Sequence, residues 1–343
     1  MIILVIIGAF IGAGFASGQE IYLFFYKYGI NGIFGLAFCS IMIGIVIYRT
    51  MLIIKKHDII TYNEFLNIIF NKNKIIAETM NFIINLFLLI TFFIMISGFG
   101  AYFEQELSIG NIVGATLLAS ICFLVFMTDI KGVAKINSII VPILICFICI
   151  IGIKNLMQIS IEDIGTNLTA QKSGLKWILS SILYCSYNMI LIIPVIVSLK
   201  DHIKSRKQIC LISIATSVII FLLGISIFLL MININADILS IEMPAVYVIT
   251  QNFTQFKLIY GIVILFSIFT TSISIGISFL ENIVKNGNDF PQIAGIMCIT
   301  SIIISNFGFS NLVKILFPIF GGLGLIQIYK IIENSKFIDK RDN

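Results

Sequence analysis

The sequence predicts an all-α, polytopic membrane protein, and three observations carry that reading. Of its 343 residues, 59% are apolar and only 11% are charged, against roughly 45–50% and about 25% in a soluble globular domain. Mean hydropathy is +1.08. The apolar residues fall in runs of about 20, the length that crosses ~30 Å of hydrocarbon, without the alternation of barrel strands. Lipid offers the backbone no hydrogen bonds, so such runs must be helical. There is too little polar surface to cover a soluble fold of this size. A disordered chain and a nucleic-acid binder are excluded on the same ground.

Ten spans follow in order: 2–27, 32–54, 79–103, 109–128, 134–154, 176–199, 208–232, 257–284, 291–308 and 312–333. With the N-terminus in the cytoplasm, sixteen of the 22 Lys and Arg fall in inside segments and six outside. That bias predicts both termini inside the bacterial cytoplasmic membrane and an even span number. The first apolar run lacks the basic start and cleavage site of a signal peptide and reads as a retained helix. Two segments are too short to span. Asp58–Phe70 reads as an inner amphipathic or re-entrant helix and Ser240–Phe253 as its outer counterpart.

Ten spans divide into five plus five, and an odd number per half forces any repeat to be inverted. Gly14 and Ser186 lie 172 residues apart, Pro142 and Pro318 176, and Glu104 and Glu281 177. The reading is a single membrane domain over 1–343, with repeats at about 1–156 and 173–335 and a short cytoplasmic tail, 336–343.

Span 1 holds Gly8, Gly12, Gly14, Gly18 and Ser17 within eleven residues. Glycine costs about 1 kcal/mol inside a helix. Two explanations stand: close packing through small-xxx-small pairs, or a break. Ser17-Gly18-Gln19-Glu20 fits the S-x-x-E capping box. A box at mid-membrane depth would start a new helix whose free N–H groups suit a carboxylate. Glu20 either closes that box or handles an ion or substrate.

Span 6 carries Tyr184-Cys185-Ser186-Tyr187-Asn188 and then Pro194. Polar groups at that depth line a cavity or bond between helices around a proline kink. Span 8 carries Thr270-Thr271-Ser272-Ile273-Ser274, whose hydroxyls bond their own helix or serve a cation. Span 3 adds Thr91, Ser97 and Tyr102. The seven cysteines lie almost wholly in apolar runs and read as small hydrophobes, the Cys146-x-x-Cys149 pair included.

Gly12-Ala13-Gly14-Phe15-Ala16-Ser17-Gly18-Gln19-Glu20 resembles the first-helix signature of YkvI-type bacterial membrane proteins. These are similar to the amino acid–polyamine–organocation superfamily, with its LeuT-type inverted fold. Lys135-Ile136-Asn137 through Pro142, and Tyr184–Asn188, add to a resemblance that covers nearly the whole chain. It implies ten helices with helices 1 and 6 discontinuous, and a substrate site between them flanked by helices 3 and 8. The backbone of Gly12, Ala13, Gly14, Phe15, Ala16 and Ser17 would meet a substrate carboxylate. Tyr184, Ser186, Tyr187 and Asn188 would wall the site, with Ser97 and Tyr102 beside them. Carbonyls near Gly8 and Ala9, with Thr270, Thr271 and Ser274, would hold a cation. Proton-coupled relatives place a Lys in the middle of helix 5. Span 5 has none, since Lys135 lies too near the cytoplasmic end. That departure favours Na⁺ as the coupling ion and leaves Glu20 as the proton alternative.

The expected function is a secondary active transporter of a small zwitterion, an amino acid first, with no cofactor beyond the coupling ion. Its partners would be the small solute and the bilayer. Helices 1, 2, 6 and 7 would rock against 3, 4, 8 and 9, with the two short segments as opposing lids. The alternative is a ligand sensor of the same fold without transport, as in germinant-receptor subunits. An enzyme is not expected: His57 and His202 lie in loops, and no catalytic dyad, metalloprotease motif or nucleotide loop occurs. A channel would show a repeated filter sequence or a charged ring, and neither is present.

Overall fold

The computed structural model describes residues 2–70, 73–128, 133–157, 174–233, 241–284 and 289–339. Within these the secondary structure is helical throughout, with no strand. The join between the expected repeats, the first residue of the outer segment and the last four of the tail lie outside the described residues.

The first span is interrupted. Helix α1 runs Ile2–Phe10, α2 is a single turn, Ala13–Ala16, and α3 runs Gln19–Phe24. The chain then turns through Tyr26–Tyr28 into α4, Ile30–His57. Next come α5 (Tyr62–Ile69), α6 (Lys74–Leu107), α7 (Asn111–Phe126) and α8 (Val133–Leu156). The second half holds α9 (Lys176–Ser198), α10 (Arg206–Leu230), α11 (Pro244–Asn252), α12 (Lys257–Ile283), α13 (Phe290–Ser305) and α14 (Phe309–Asp339). Six helices are long and apolar enough to cross a membrane, and three more are shorter apolar helices. Each long helix lies within a few residues of an expected span. This is a multi-pass membrane protein.

Helix ends follow local chemistry. Helix α4 stops where Asp58 turns left-handed (φ 47°), behind Lys55, Lys56 and His57 in its last turn, which suit the negative end of the dipole. Ser205 caps α10 by accepting from Gln208 N at 3.1 Å. Helix α5 begins with a complete capping box. Thr61 Oγ1 accepts from Glu64 N at 3.3 Å, and Glu64 Oε2 accepts from Thr61 N at 3.2 Å and Ile60 N at 2.8 Å. Those two backbone donors hold the Glu64 carboxyl below the usual carboxylate range.

The outer faces are apolar. Phe34, Phe38, Ile41 and Ile45 form an exposed stripe on α4, and Leu211, Ile214, Val218 and Leu222 another on α10. Such stripes would aggregate in water and are expected against lipid. The centre of the bundle is filled by α6 and α9, the most deeply buried of the long helices. Helix α14 lies close on α9 because a Cβ on Gly321 or Gly324 would fall 2.7 Å from the carbonyls of Leu183 or Ser186.

The pairing of helices has a regularity. Number the helices by the ten expected spans on which they fall: 1 (α1 with α2 and α3), 2 (α4), 3 (α6), 4 (α7), 5 (α8), 6 (α9), 7 (α10), 8 (α12), 9 (α13) and 10 (α14). Taking α1 for segment 1, the packed pairs are 1–5 and 6–10, 1–7 and 2–6, 2–10 and 5–7, 3–4 and 8–9, 3–9 and 4–8, and 3–10 and 5–8. Pairs 1–6, 2–7, 3–8 and 4–9 complete the set. Advancing every number by five returns the same set.

Two expectations are corrected. Helix 6 is not discontinuous: α9 runs unbroken through Tyr184–Asn188. It contains no glycine, and two of its mid-helix polar side chains bond within the helix. Ser186 Oγ donates to Ile182 O at 2.7 Å, and Asn188 Nδ2 to Tyr184 O at 2.9 Å. Pro194 sits in the last turns, where its missing N–H removes one bond. Nor do Ser17 and Glu20 form a capping box. The N-cap of α3 is Gly18, left-handed at φ 83°, with no side-chain cap.

Thr61→Ala should remove about 1 kcal/mol from α5. Hydrogen exchange would read this as faster exchange at the α5 amides, with the long helices unchanged.

Candidate functional site

The interruption of segment 1 frees backbone groups in the buried interior of the bundle, and the surrounding residues satisfy several of them. Ile11 and Gly12 link α1 to α2, with Gly12 extended. Ser17 Oγ donates to Gly14 O at 3.1 Å and accepts from Gln19 N at 3.3 Å. Gly18 N donates to Phe15 O at 3.0 Å. Two partners come from outside the segment. The Tyr260 hydroxyl of α12 donates to Ala16 O, and Ala245 N, at the start of α11, donates to Ser17 O at 2.8 Å. Of the break explanation and the packing explanation, the structure bears out the break.

Glu20 faces inward and is 4% exposed. Its carboxyl folds back over Gly14, where a Cβ would fall 2.8 Å from Glu20 Cγ and closer still to the carboxylate oxygen. Gly14 is therefore required by close approach. The Tyr187 hydroxyl donates to Glu20 Oε2 at 2.6 Å. The buried Tyr184 hydroxyl lies within reach of the same carboxyl.

Aromatic rings enclose this pair. Tyr184 and Tyr187 stand edge to face at 5.3 Å, Phe24 lies 5.2 Å and 5.5 Å from them, and Phe317 stacks on Tyr187 at 4.6 Å. Phe10 touches both Phe15 and Tyr184. On the other side Gly12 faces Met95, and Gly98 faces Ala13, both from α6. Residues 13–21 are all buried, as are Tyr184 and Tyr187, so the site is closed.

The sequence-expected residues therefore divide. Gly12–Ser17, Glu20, Tyr184 and Tyr187 come together. The Ser186 hydroxyl and the Asn188 amide bond within α9. Ser97 Oγ donates to Ser305 O at 3.4 Å, and Tyr102 lies against Gly261 of α12. The Thr270 and Ser274 hydroxyls donate to carbonyls of their own helix, Phe266 O and Ser267 O for the first and Thr270 O for the second. Thr271 is only half-buried on α12. Gly8 faces Val141 of α8, and α1, which carries Gly8 and Ala9, packs on α8, α9 and α10. The cation set is not gathered by hydrogen bonds in this conformation.

The sequence reading missed a second layer beyond the break. Gln19 Nε2 donates to Ser310 Oγ at 2.6 Å, and Ser310 N donates to Glu242 Oε2 at 2.6 Å. Gln105 brackets Met243, donating to its carbonyl at 3.3 Å and accepting from its N–H at 2.9 Å. Thr250 donates to Glu106 at 2.8 Å, and Lys257 pairs with Glu106 at 3.5 Å. Helix α11 is thus tied to segments 1, 3, 8 and 10. A faint signal existed: Tyr260 is the one polar side chain in the apolar run 258–266, and Glu242 lies two residues before the α11 proline. At the opposite end α5 is held by Tyr62, which accepts from Gln327 Nε2 at 2.7 Å, and by Asn334 Nδ2, which donates to Ile69 O at 2.6 Å.

No family model matches this sequence. The chain is similar to YkvI of Bacillus subtilis. Named "uncharacterized membrane protein YkvI" in strain 168, it is 28% identical over 334 residues, which is 94% of this chain and 92% of YkvI. The "uncharacterized protein YyaD" of the same strain is 24% identical over 341 residues, 97% of each chain. Both likenesses run end to end through the helices that form the site. They agree with a YkvI-type multi-pass membrane protein.

Two outcomes follow. Gly18→Ala forces a side chain into left-handed backbone and to within 3.0 Å of Ala245 N. It should destabilise the closed state by about 1–2 kcal/mol or more, read as a lower melting temperature and faster exchange in α11. Burial pushes the Glu242 carboxyl above the usual carboxylate range, against the lowering effects of the Ser310 N–H and Lys314, while Glu104 adds to the rise. A raised carboxylate favours the packed position of α11 most at low pH and less as pH climbs through the raised value. Protection of the α11 amides relative to their intrinsic exchange rates should therefore fall as pH rises, and Glu242→Gln should flatten that dependence.

Proposed function

We propose that this chain is a secondary active transporter of a small amino-acid-like solute, working by alternating access. The observation that carries this reading is the break in segment 1. It is irregular backbone at membrane depth, tolerated only where protein or a cavity satisfies it, and it packs beside a buried acid. Intramembrane acids are functional candidates by default.

The arrangement supports a five-plus-five inverted repeat, because the helix pairing returns on itself when every segment advances by five. The two short helices fit the relation in part. Helix α5 follows segment 2 and touches segments 3, 6 and 10, while α11 follows segment 7 and touches segments 8, 7 and, through α3, 1. A lid at each end of a shared site is what alternating access needs. The excess of Lys and Arg puts α5 on the cytoplasmic side and α11 outside.

Glu20 is the coupling group we favour, with a proton as the ion. It sits at the break, bonded to α9 through Tyr187, so its charge state bears on the contact between segments 1 and 6. Sodium coupling, expected from the missing Lys in span 5, is the alternative: the Thr270 and Ser274 hydroxyls donate to carbonyls of their own helix, which leaves their oxygen lone pairs able to meet a cation.

The test is uptake into proteoliposomes by the purified chain, over a panel of labelled amino acids and amines, with either a proton or a sodium gradient imposed. Uptake that follows the proton gradient and is lost in Glu20→Gln is expected. Uptake that follows sodium and survives that change would return the coupling to segments 1 and 8. Ligand-dependent stabilisation without uptake would favour the sensor.

A further inference from the structure

Helices α4 and α10 lie side by side and antiparallel. Leu36, Ser40 and Gly44 of α4 meet Gly224, Ser217 and Ser213 of α10, one number rising as the other falls. The exposed apolar residues stand one position further along each helix. Ile41 follows Ser40 and Ile45 follows Gly44, while Ile214 follows Ser213 and Val218 follows Ser217. One residue is about 100° of helical rotation. In antiparallel helices that face one another, the same rotation from the contact edge carries both stripes to the same side of the pair. The two exposed stripes are therefore one apolar face, with the α4–α10 seam running down it.

That face ends in cations. Lys207 lies one turn before Leu211 on α10, and Lys56 three turns after Ile45 on α4, so each continues its stripe. Both are exposed, as are Lys55, Lys204 and Arg206. Lys55 Nζ donates to Lys204 O at 2.8 Å, and Arg206 Nε donates to the Tyr48 hydroxyl at 3.2 Å. These bonds draw the like-charged ends of the two helices together. Among the described residues Lys55, Lys56, Lys204 and Lys207 form no ion pair, although Asp58 and Asp201 are close by in sequence. Gathered like charges repel, and an anion set among them relieves the repulsion.

The dimensions fit one leaflet. From Leu211 to Leu222 the α10 stripe rises about 16 Å, close to half of a ~30 Å hydrocarbon layer. Tyr48, held at the level of Arg206, stands where aromatic side chains meet headgroups. We infer that the α4–α10 face is a binding site for an anionic glycerophospholipid, with its phosphate at the Lys56 and Lys207 end and its acyl chains along the stripes on either side of the seam. A zwitterionic lipid brings the same chains, but its ammonium meets the cations unfavourably. A soluble phosphate brings the charge without the chains. Bound lipid would span the seam and hold α4 to α10.

The purified full-length chain, stripped of lipid in detergent, tests this. It is titrated with dioleoyl phosphatidylglycerol, dioleoyl phosphatidylcholine or glycerol 3-phosphate, with bound molecules counted by native mass spectrometry and the melting temperature followed. Phosphatidylglycerol should bind at least about tenfold more tightly than phosphatidylcholine and raise the melting temperature, and glycerol 3-phosphate should do neither. Lys56→Gln and Lys207→Gln, both at exposed positions, should each weaken phosphatidylglycerol by about fivefold. Lys74→Gln, at the start of α6 on the side that the charge bias assigns to the cytoplasm, should not. Equal binding of the two lipids would overturn the inference, as would full phosphatidylglycerol affinity in the Lys56→Gln, Lys207→Gln double variant. An equal loss in Lys74→Gln would overturn it too, because it would show diffuse attraction to one charged end of the protein instead of a site. Glycerol 3-phosphate binding as tightly as the lipid would remove the lipid as the occupant.

Discussion

The constraint on which the rest of this structure depends is the need to satisfy a broken backbone inside the packed helices. Each unpaired peptide group there costs several kcal/mol. Between Ile11 and Gly18 the chain gives up continuous helical bonding, and the neighbours are arranged to repair the loss. Ser17 bonds back to Gly14, Tyr260 reaches across from α12 to Ala16, and the first amide of α11 reaches Ser17. These contacts join segment 1 to segment 8 and to helix α11, so a stability requirement also couples the break to both.

The same short motif has two fates in this chain. Thr61-x-x-Glu64 forms a reciprocal box at an exposed helix start, where nothing competes for the Glu64 carboxylate. Ser17-x-x-Glu20 has the same spacing and does not. Gly18 takes the left-handed conformation, and Tyr187 from a distant helix claims the carboxylate. Local sequence states what each residue is able to bond, and in the buried copy tertiary neighbours decide what it does bond.

The two halves are alike in packing and unlike in detail. Each long helix of one half finds its counterpart's contacts in the other, but segment 1 is broken and segment 6 is not. The glycines of span 1 have no equivalents in α9, whose Ser186 and Asn188 close on their own helix. The site is therefore asymmetric. A broken, glycine-bearing segment from one half lies against an unbroken aromatic helix from the other, with Glu20 and Tyr187 as the bond between them.

The sequence by itself determined the class of protein, the place of nearly every helix, the two short amphipathic helices and the residues at the break. These depend on hydropathy, span length and glycine content, which are local properties that lipid enforces strongly. Tertiary structure alone decided that α9 stays whole, that Glu20 lies over Gly14 with Tyr187 as donor, and that the Thr270 and Ser274 hydroxyls turn inward on their helix. It also decided that Tyr260, Ala245, Glu242 and Ser310 serve the break. Those outcomes are choices among competing hydrogen-bond partners hundreds of residues apart, and side-chain type lists the options without ranking them. The ranking comes from which groups the packed helices bring within about 3 Å and which they leave without water.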